Sequence, residues 1–484
     1  MSINSIEFLL FFVVIFFIYY FPLKEKSKAQ NAFLLFASYF FYGYADLKML
    51  PLLIVTTLVY YYLGLGISHF KVKGNKNAGL LISTIGIIFG VILLLYFKYL
   101  NFFVASFSEM FNSIGLQTNV QTFNIILPIG ISFIIFRLIG YVIEVNRGTI
   151  EPTRNIVTFS TFVAFFPCLL SGPIDRPQKF IPQLEKKRPF NYEMAVDGLR
   201  QILWGMFKKM VIADNLSPII NGIWADYSNQ AGSTLFLAAI LYTFQIYADF
   251  SGYSDMAIGV AKILGFNVAK NFDYPYFSRN ISEFWRKWHM SLTSWLTDYI
   301  YIPLGGNRCS KSRHFFNTMV VFTICGLWHG ANWTFILWGI YNGLLFLPLV
   351  LRKKKKLPKV AGEGRLLPNA HETLNILGTF FLATFGWIIF RSASVHDAFL
   401  YIKEIFSISL FSMPNIRGFQ LLNLLEGFLA IAVLILFEWV NRRNDFGLQS
   451  CGKSKAMRWA IYLILSFVCF LFFKTNQPFI YFQF

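Results

Sequence analysis

The sequence predicts an all-α, polytopic integral membrane protein with about twelve spans plus re-entrant and interfacial helices. Three observations carry that expectation. The 484 residues are 56% hydrophobic and 19% aromatic but only 14% charged, against about 25% charged in ordinary soluble domains. Long apolar runs recur at Ile6–Phe21, Gly79–Phe97, Leu235–Tyr247, Leu374–Phe390 and Trp459–Phe473, and a bilayer core needs about 20 apolar residues per helix. The net charge of +19 (43 basic against 24 acidic residues) is gathered in short basic clusters between these runs. That is the placement expected of loops on the cytosolic side of a membrane, and it argues against nucleic-acid binding.

Each element follows in order. Residues 1–22 lack a basic leader and a small-residue cleavage site, so they read as a retained first span, with Lys24–Lys28 inside and the N-terminus outside. Two shorter spans near Ala32–Tyr44 and Leu50–Ile67 return the chain inside at Lys71, Lys73 and Lys76, 79–97 goes out, and Phe123–Ile143 comes back to Arg147 and Arg154. Ile156–Leu170 is apolar but basic on both flanks, so a re-entrant or interfacial helix is expected, turned by Ser171-Gly-Pro173; a plain surface loop is the other reading. Leu199–Ile220 and Leu235–Leu264 read as an out-and-back pair interrupted by the polar Asp249-Phe-Ser-Gly-Tyr-Ser-Asp255. Residues 266–314, rich in Trp and Tyr, read as interfacial and partly re-entrant. Two helices then flank His329 and end at Arg352-Lys-Lys-Lys-Lys356, the clearest cytosolic marker. Spans at 374–390, 421–440 and 459–473 bracket Arg442-Arg443 and Lys453 inside, which puts both termini outside. No internal repeat is visible, which argues against a transporter built from paired halves.

Chemistry concentrates between Trp285 and Trp338, which holds six of the 11 tryptophans and three of the six histidines. His329 stands in Gly326-Leu-Trp-His-Gly-Ala-Asn332. An imidazole there is either a general base, neutral near pH 7, or a packing residue bonded to a backbone carbonyl. Gly326 and Gly330 would leave room for substrate, and Asn332 would bond a reacting carbonyl or orient a helix. Trp288 and His289 follow Trp285 at helical spacing in Phe284-Trp-Arg-Lys-Trp-His289. His289 reads either as a second site residue or as part of an interfacial Trp/His/Lys belt. Asp298 opens Asp298-Tyr-Ile-Tyr-Ile-Pro-Leu-Gly-Gly-Asn307, and on the residues alone it reads as a solvated carboxylate. Asp249 and Asp255 suggest packing around a cavity. His69, His314, His371 and His396 lie in loops or at span ends. The five cysteines are scattered without ligand spacing, and no metal and no nucleotide-binding loop is expected.

Together with Ser171-Gly-Pro-Ile-Asp-Arg-Pro177, these ordered blocks resemble the membrane-bound O-acyltransferase family. The similarity is to its branch of alginate and peptidoglycan O-acetyltransferases and the teichoic-acid D-alanyl transferase, and it covers most of the chain. It implies a single membrane-embedded acyltransferase domain over 1–484 built around a central tunnel. The catalytic core would span about 123–351, with C-terminal spans and an aromatic tail over 374–484. His329 matches the family's signature histidine. His289, Trp285, Arg286, Trp288, Asp298, Trp328 and Asn332 fall in matching blocks that would bind or shape the site around the thioester. The resemblance further implies acetyl-CoA as cytosolic donor substrate with no tightly bound cofactor. Arg279, Arg286, Lys287, Arg308, Lys311 and Arg313 would suit the donor's phosphates, though cytosolic placement explains them equally.

The implied activity is O-acetylation of a cell-envelope or exported polysaccharide in a bacterial cytoplasmic (inner) membrane, among membrane lipids. A periplasmic or extracellular SGNH-type transferase would be the partner. The Lys-, Asn-, Ile- and Phe-rich usage fits an AT-rich genome, which ranks peptidoglycan or another envelope glycan ahead of alginate. Teichoic-acid D-alanyl transfer from a carrier protein is the enzymatic alternative; a non-catalytic transporter or flippase is the other. The tail Pro478-Phe-Ile-Tyr481-Phe-Gln-Phe484 is similar to the terminal motif of the acetyltransferase branch. By that resemblance Tyr481 would carry acetyl outward as an aryl ester. On the residues alone, the rings would only seat the terminus at the interface.

Overall fold

The structure is a computed structural model that describes residues 1–116, 123–351, 358, 360–415, 421–452 and 454–473. Every regular element among them is helical. Among the described residues, six stretches are long and apolar enough to cross a membrane: Ser27–Val72, Lys76–Ser113, Gly232–Ile263, Trp333–Leu351, Ala370–Arg391 and Leu421–Val440, with Ile6–Tyr20 a shorter apolar helix. The first two hold 46 and 38 residues. Both exceed the ~20 that one crossing needs, and each contains two α-helices. The basic run Arg352–Lys356 and the tail bearing Tyr481 lie outside the described residues.

The chain packs as two compact units, the first comprising residues 1–196 and 260–269. Its helices are α1 (Ile6–Tyr20), α2 (Ser27–Asp46), α3 (Leu50–Val72), α4 (Lys76–Leu94), α5 (Leu100–Ser113), α6 (Ile131–Arg147), α7 (Ile156–Ala164), α8 (Phe166–Leu169) and α9 (Pro177–Glu185). The apolar segment expected to be re-entrant is a helix broken in two. Phe165 leaves helical geometry ahead of Pro167, and neither α7 nor α8 is long enough to span. A break in an apolar interior frees carbonyls that must find donors. Arg137 of α6, 2% exposed, supplies them, donating to the carbonyls of Phe162, Val163 and Cys168 at 3.2, 2.7 and 3.3 Å. Arg188 is a buried staple. It donates to Tyr19 Oη and Asn31 Oδ1, each at 2.6 Å, and to the carbonyls of Gln183, Leu184 and Lys186.

The second unit comprises residues 197–259 and 270–484. It takes in α10 (Tyr192–Met206) from Asp197 onward, α11 (Asn215–Ala225), α12 (Gly232–Ile263) up to Gly259, α13 (Ile281–Lys287), α14 (Met290–Leu296), α15 (Lys311–His329), α16 (Trp333–Leu345), α17 (Leu347–Leu351), α18 (Ala370–Arg391), α19 (Val395–Ile405), α20 (Leu421–Val440) and α21 (Lys455–Leu471). α10 and α11 are joined by a π-helical stretch, Phe207–Asp214. The polar residues 249–255 do not interrupt the chain, contrary to expectation, because α12 runs through them unbroken over 32 residues. The reason is charge pairing. Lys208 meets Asp255 at 2.6 Å, and Lys209 meets Asp249 at 2.6 Å and Asp214 at 2.8 Å, all largely buried. Carboxylates satisfied by side chains need no break in the helix to reach water. Gly205 and Gly252 let α10 and α12 cross backbone to backbone; a Cβ on either would stand under 3 Å from the other's carbonyl oxygen.

Candidate active site

The hairpin of α15 and α16 carries His329. Ser310 caps the start of α15 by accepting from Arg313 N–H, and His329 is its last residue, followed by extended Gly330. The ring is 6% exposed and boxed by aromatics. Its centroid lies 5.0 Å from Trp328, 5.2 Å from Trp338 and 5.1 Å from Phe390, each nearly edge-on.

Gly326 and Gly330 do not hold space open for substrate, contrary to expectation. A Cβ on Gly326 would stand 2.1 Å from the Phe335 carbonyl oxygen, and one on Gly330 would stand 2.2 Å from the Phe335 ring. These glycines let α16 close onto α15 and so seat His329 in its box. Asn332 takes the helix-orienting alternative: its Oδ1 accepts from Thr334 N–H to cap α16, and its Nδ2 donates to the Ala393 carbonyl at 2.9 Å. Trp328, buried, belongs to the same box.

His289 departs from the helical spacing read in the sequence. α13 stops at Lys287, Trp288 is extended, and His289 takes φ 43°, ψ 54° at the head of α14. It is one of three non-glycine residues with positive φ among those described. The left-handed region costs such a residue on the order of 1–3 kcal/mol, and strain of this kind clusters at functional sites. The kink turns the imidazole inward: it is 1% exposed, 4.7 Å from the Phe250 ring and 5.6 Å from Trp328. An exposed interfacial belt is therefore not its setting. Burial pushes its pKa down to about 3, so the ring stays neutral. Trp328 thus stands against both His289 and His329.

A cavity of about 360 Å³ lies on the other side of this aromatic wall. Trp285 and Cys325 line it. Cys325 sits one turn before His329 on α15, and Trp285 packs 5.4 Å from Trp338. Trp285 also donates to Asn342 Oδ1 at 3.2 Å, which holds its indole across the wall. Arg286, exposed, lines the cavity with Asn307, Tyr301 and His314. Asp298, half-buried, stands on the π-helical turn Thr297–Tyr301 whose two end residues line it. Trp288, fully buried, packs 4.7 Å from Trp387 and supports the kink from behind.

Sequence reasoning missed His314 and Tyr301. His314 stands in the first turn of α15, seven residues after Asn307, so the Trp/Tyr-rich stretch was the available signal. Two of the six cations offered to the donor are held in ion pairs. Arg279 is held by Glu283 at 2.9 Å and Glu372 at 3.2 Å, and Lys287 by Glu283 at 3.1 Å. Among the described residues, no group of three His, Cys, Asp or Glu side chains could hold a metal ion.

Comparison with known proteins gives this arrangement its context. The profile of the family "MBOAT, membrane-bound O-acyltransferase family" matches residues 151–351, which include both histidines and the cavity. The chain is 37% identical to "Probable alginate O-acetylase AlgI" of Azotobacter vinelandii over 90% of this chain and 84% of that protein. It is 34% identical to the protein of the same name in Pseudomonas putida over the whole of both chains. It is 30% identical to "Peptidoglycan O-acetyltransferase" of Helicobacter pylori over 91% of this chain and 84% of that one. A boxed histidine beside a ligand-sized cavity, in a multi-pass helical chain with such relatives, therefore makes this protein an O-acyltransferase belonging to the membrane-bound O-acyltransferase family.

Proposed function

We propose that the protein moves acetyl from cytosolic acetyl-CoA across a bacterial cytoplasmic membrane for O-acetylation of a cell-envelope or exported polysaccharide. The observation that carries this reading is the cavity set one helical turn from His329. Its volume suits the thioester arm of the donor rather than the whole nucleotide. Arg286 on its lining, with exposed Arg308, Lys311 and Arg313 nearby in the chain, would serve the phosphates. His329 takes the proton of the attacking hydroxyl as its oxygen bonds the thioester carbon. The carbon–sulfur bond then breaks, and the proton passes to the departing thiolate. Neutral His289 would orient the thioester from the far side of Trp328.

The relatives named for alginate and for peptidoglycan supply the acceptor class. By the same reading, about twelve crossings leave both termini outside, and Tyr481 attacks the thioester and carries acetyl as an aryl ester to a periplasmic or extracellular SGNH-type partner. A phenol of pKa about 10 is a better leaving group than a sugar hydroxyl, so onward transfer runs level or downhill. D-alanyl transfer is the second reading, favoured by 31% identity to "Teichoic acid D-alanyltransferase" of Streptococcus thermophilus over 54% of this chain. Purified protein supplied with radiolabelled acetyl-CoA tests the proposal. Release of CoA thiol with label retained on the protein or passed to acceptor supports it. No consumption of acetyl-CoA, or consumption only of a carrier-bound aminoacyl thioester, overturns it.

A further inference from the structure

Residues 270–274 run beside the break between α13 and α14. Met290 N–H donates to the Asn271 carbonyl at 2.8 Å, and Asp273 N–H donates to the Lys287 carbonyl at 3.0 Å. Two backbone bonds thus bracket Trp288 and His289. The Asn271 side chain closes the arrangement: its Nδ2 donates to Ser254 Oγ of α12 at 3.1 Å, and its Oδ1 accepts from Ser291 Oγ of α14 at 2.6 Å. Asn271 is 0% exposed, so its amide has no water to fall back on and both contacts must be kept.

Ser254 lies four residues beyond Phe250 on α12, which places it on the same helix face as the ring packed against His289. One carboxamide therefore ties the Ser291 side chain, two residues past the kink, to the helix that backs the imidazole. A non-glycine residue released from such a tie relaxes out of the left-handed region. For His289 that relaxation would swing the ring away from Phe250 and Trp328.

We propose that Asn271 is a positioning residue for acyl transfer, holding His289 in its left-handed turn between Phe250 and Trp328. This rests on reading His289 as an active-site group. Asn271 touches no reacting atom; it acts through His289 alone.

The test is a double-mutant cycle on the full-length, detergent-solubilised protein with acetyl-CoA as probe. Asn271→Leu removes both side-chain contacts, whereas Asn271→Asp, neutral at so buried a site, keeps both: its hydroxyl donates to Ser254 and its carbonyl oxygen accepts from Ser291. The expected result for Asn271→Leu is a kcat loss on the order of 10²-fold with donor KM held within about twofold, because misplacing a site group by ~1 Å costs that much. Asn271→Asp recovers most of the rate. In a His289→Ala background, Asn271→Leu adds no more than about twofold, since a residue acting only through His289 has nothing left to act on. If the two losses multiply in the double variant, Asn271 is only a packing residue and the proposal is overturned. Near-normal kcat in His289→Ala beside an impaired Asn271→Leu also overturns it while leaving the acetyl-transfer reading intact. Wild-type protein that does not consume acetyl-CoA fails that reading instead. Should Asn271→Leu not fold, Ser291→Ala removes a single hydroxyl. The same loss in kcat alone, again absent over His289→Ala, is expected there, and multiplying losses overturn the proposal.

Discussion

Replacing Gly326 with alanine adds one methyl group to the tightest helix crossing beside the site. The new carbon would stand 2.1 Å from the Phe335 carbonyl oxygen and 3.4 Å from Gly339 Cα. The reverse substitution, Gly339→Ala, meets the Phe322 carbonyl at 2.3 Å. Because the obstacle is backbone and not a mobile side-chain end, α15 and α16 must separate, by roughly 1 Å to restore ordinary contact. Overpacking of this kind costs about 1–3 kcal/mol. A shift of about 1 Å in His329 against its box is worth about 10²-fold in rate. Thermal unfolding in detergent and initial rates of acetyl-CoA consumption measure the two effects. Gly378→Ala on α18 is the control, since nothing lies within 4 Å of its added carbon. There, helix propensity favours alanine by about 1 kcal/mol, so stability should hold or rise. If Gly326→Ala behaves like Gly378→Ala in both assays, the helices are not in the register described and the box around His329 is wrong.

Four further outcomes are expected. His329→Ala should fold and insert but lose at least about 10²–10⁴-fold in acetyl transfer; near-normal turnover in single-turnover assays would remove His329 from the chemistry. Lys209→Met removes the ammonium shared by two buried carboxylates, Asp249 and Asp214, and should cost about 3–5 kcal/mol in a denaturation measurement. Because burial holds the His289 pKa near 3, below its ordinary value of about 6.5, the unfolded chain binds the extra proton between those values. Stability should therefore fall as pH drops through that window, with a slope that flattens in His289→Phe when melting is followed against pH. Tyr481→Phe keeps the aromatic tail and removes only the hydroxyl; acetylated glycan should disappear at unchanged expression, and full activity would leave the tail an anchor.

The membrane character and the neighbourhood of the site were legible because they depend on composition and on short ordered blocks. Apolar runs announce helices wherever they fold, and Gly326 through Asn332 stands together in sequence order. What was not legible depends on partners distant in the chain. Asp249 and Asp255 read as a break in α12 because their lysines lie 40 and 47 residues earlier, on another helix. His289 read as helical because Trp285, Trp288 and His289 have the right spacing, and the backbone turn that overrides it is braced from Asn271. Gly326 read as room for substrate, since a sequence cannot say whether a missing side chain is filled by ligand or by a neighbouring helix. His314 looked unremarkable for the same reason.

The π-helical stretch from Phe207 to Asp214 has a consequence for how this protein tolerates insertions and deletions. In a regular α-helix of 3.6 residues per turn, neighbouring side chains point about 100° apart, and two adjacent lysines could not both serve one facing helix well. The wider i→i+5 turn lets Lys208 and Lys209 reach Asp255 and Asp249 on the same partner. A π-helical stretch is one residue out of step with its flanks. Deleting a residue there would restore a regular helix with no loss of hydrogen bonding. It would also rotate one ammonium away from its carboxylate and turn the preceding face of α10, with Gly205, out of its crossing. An apparently conservative repair of the helix would thus unmake the helix pair behind the site. Substitutions at Met210 and Val211, which leave the extra residue in place, should be tolerated far more readily than loss of either one.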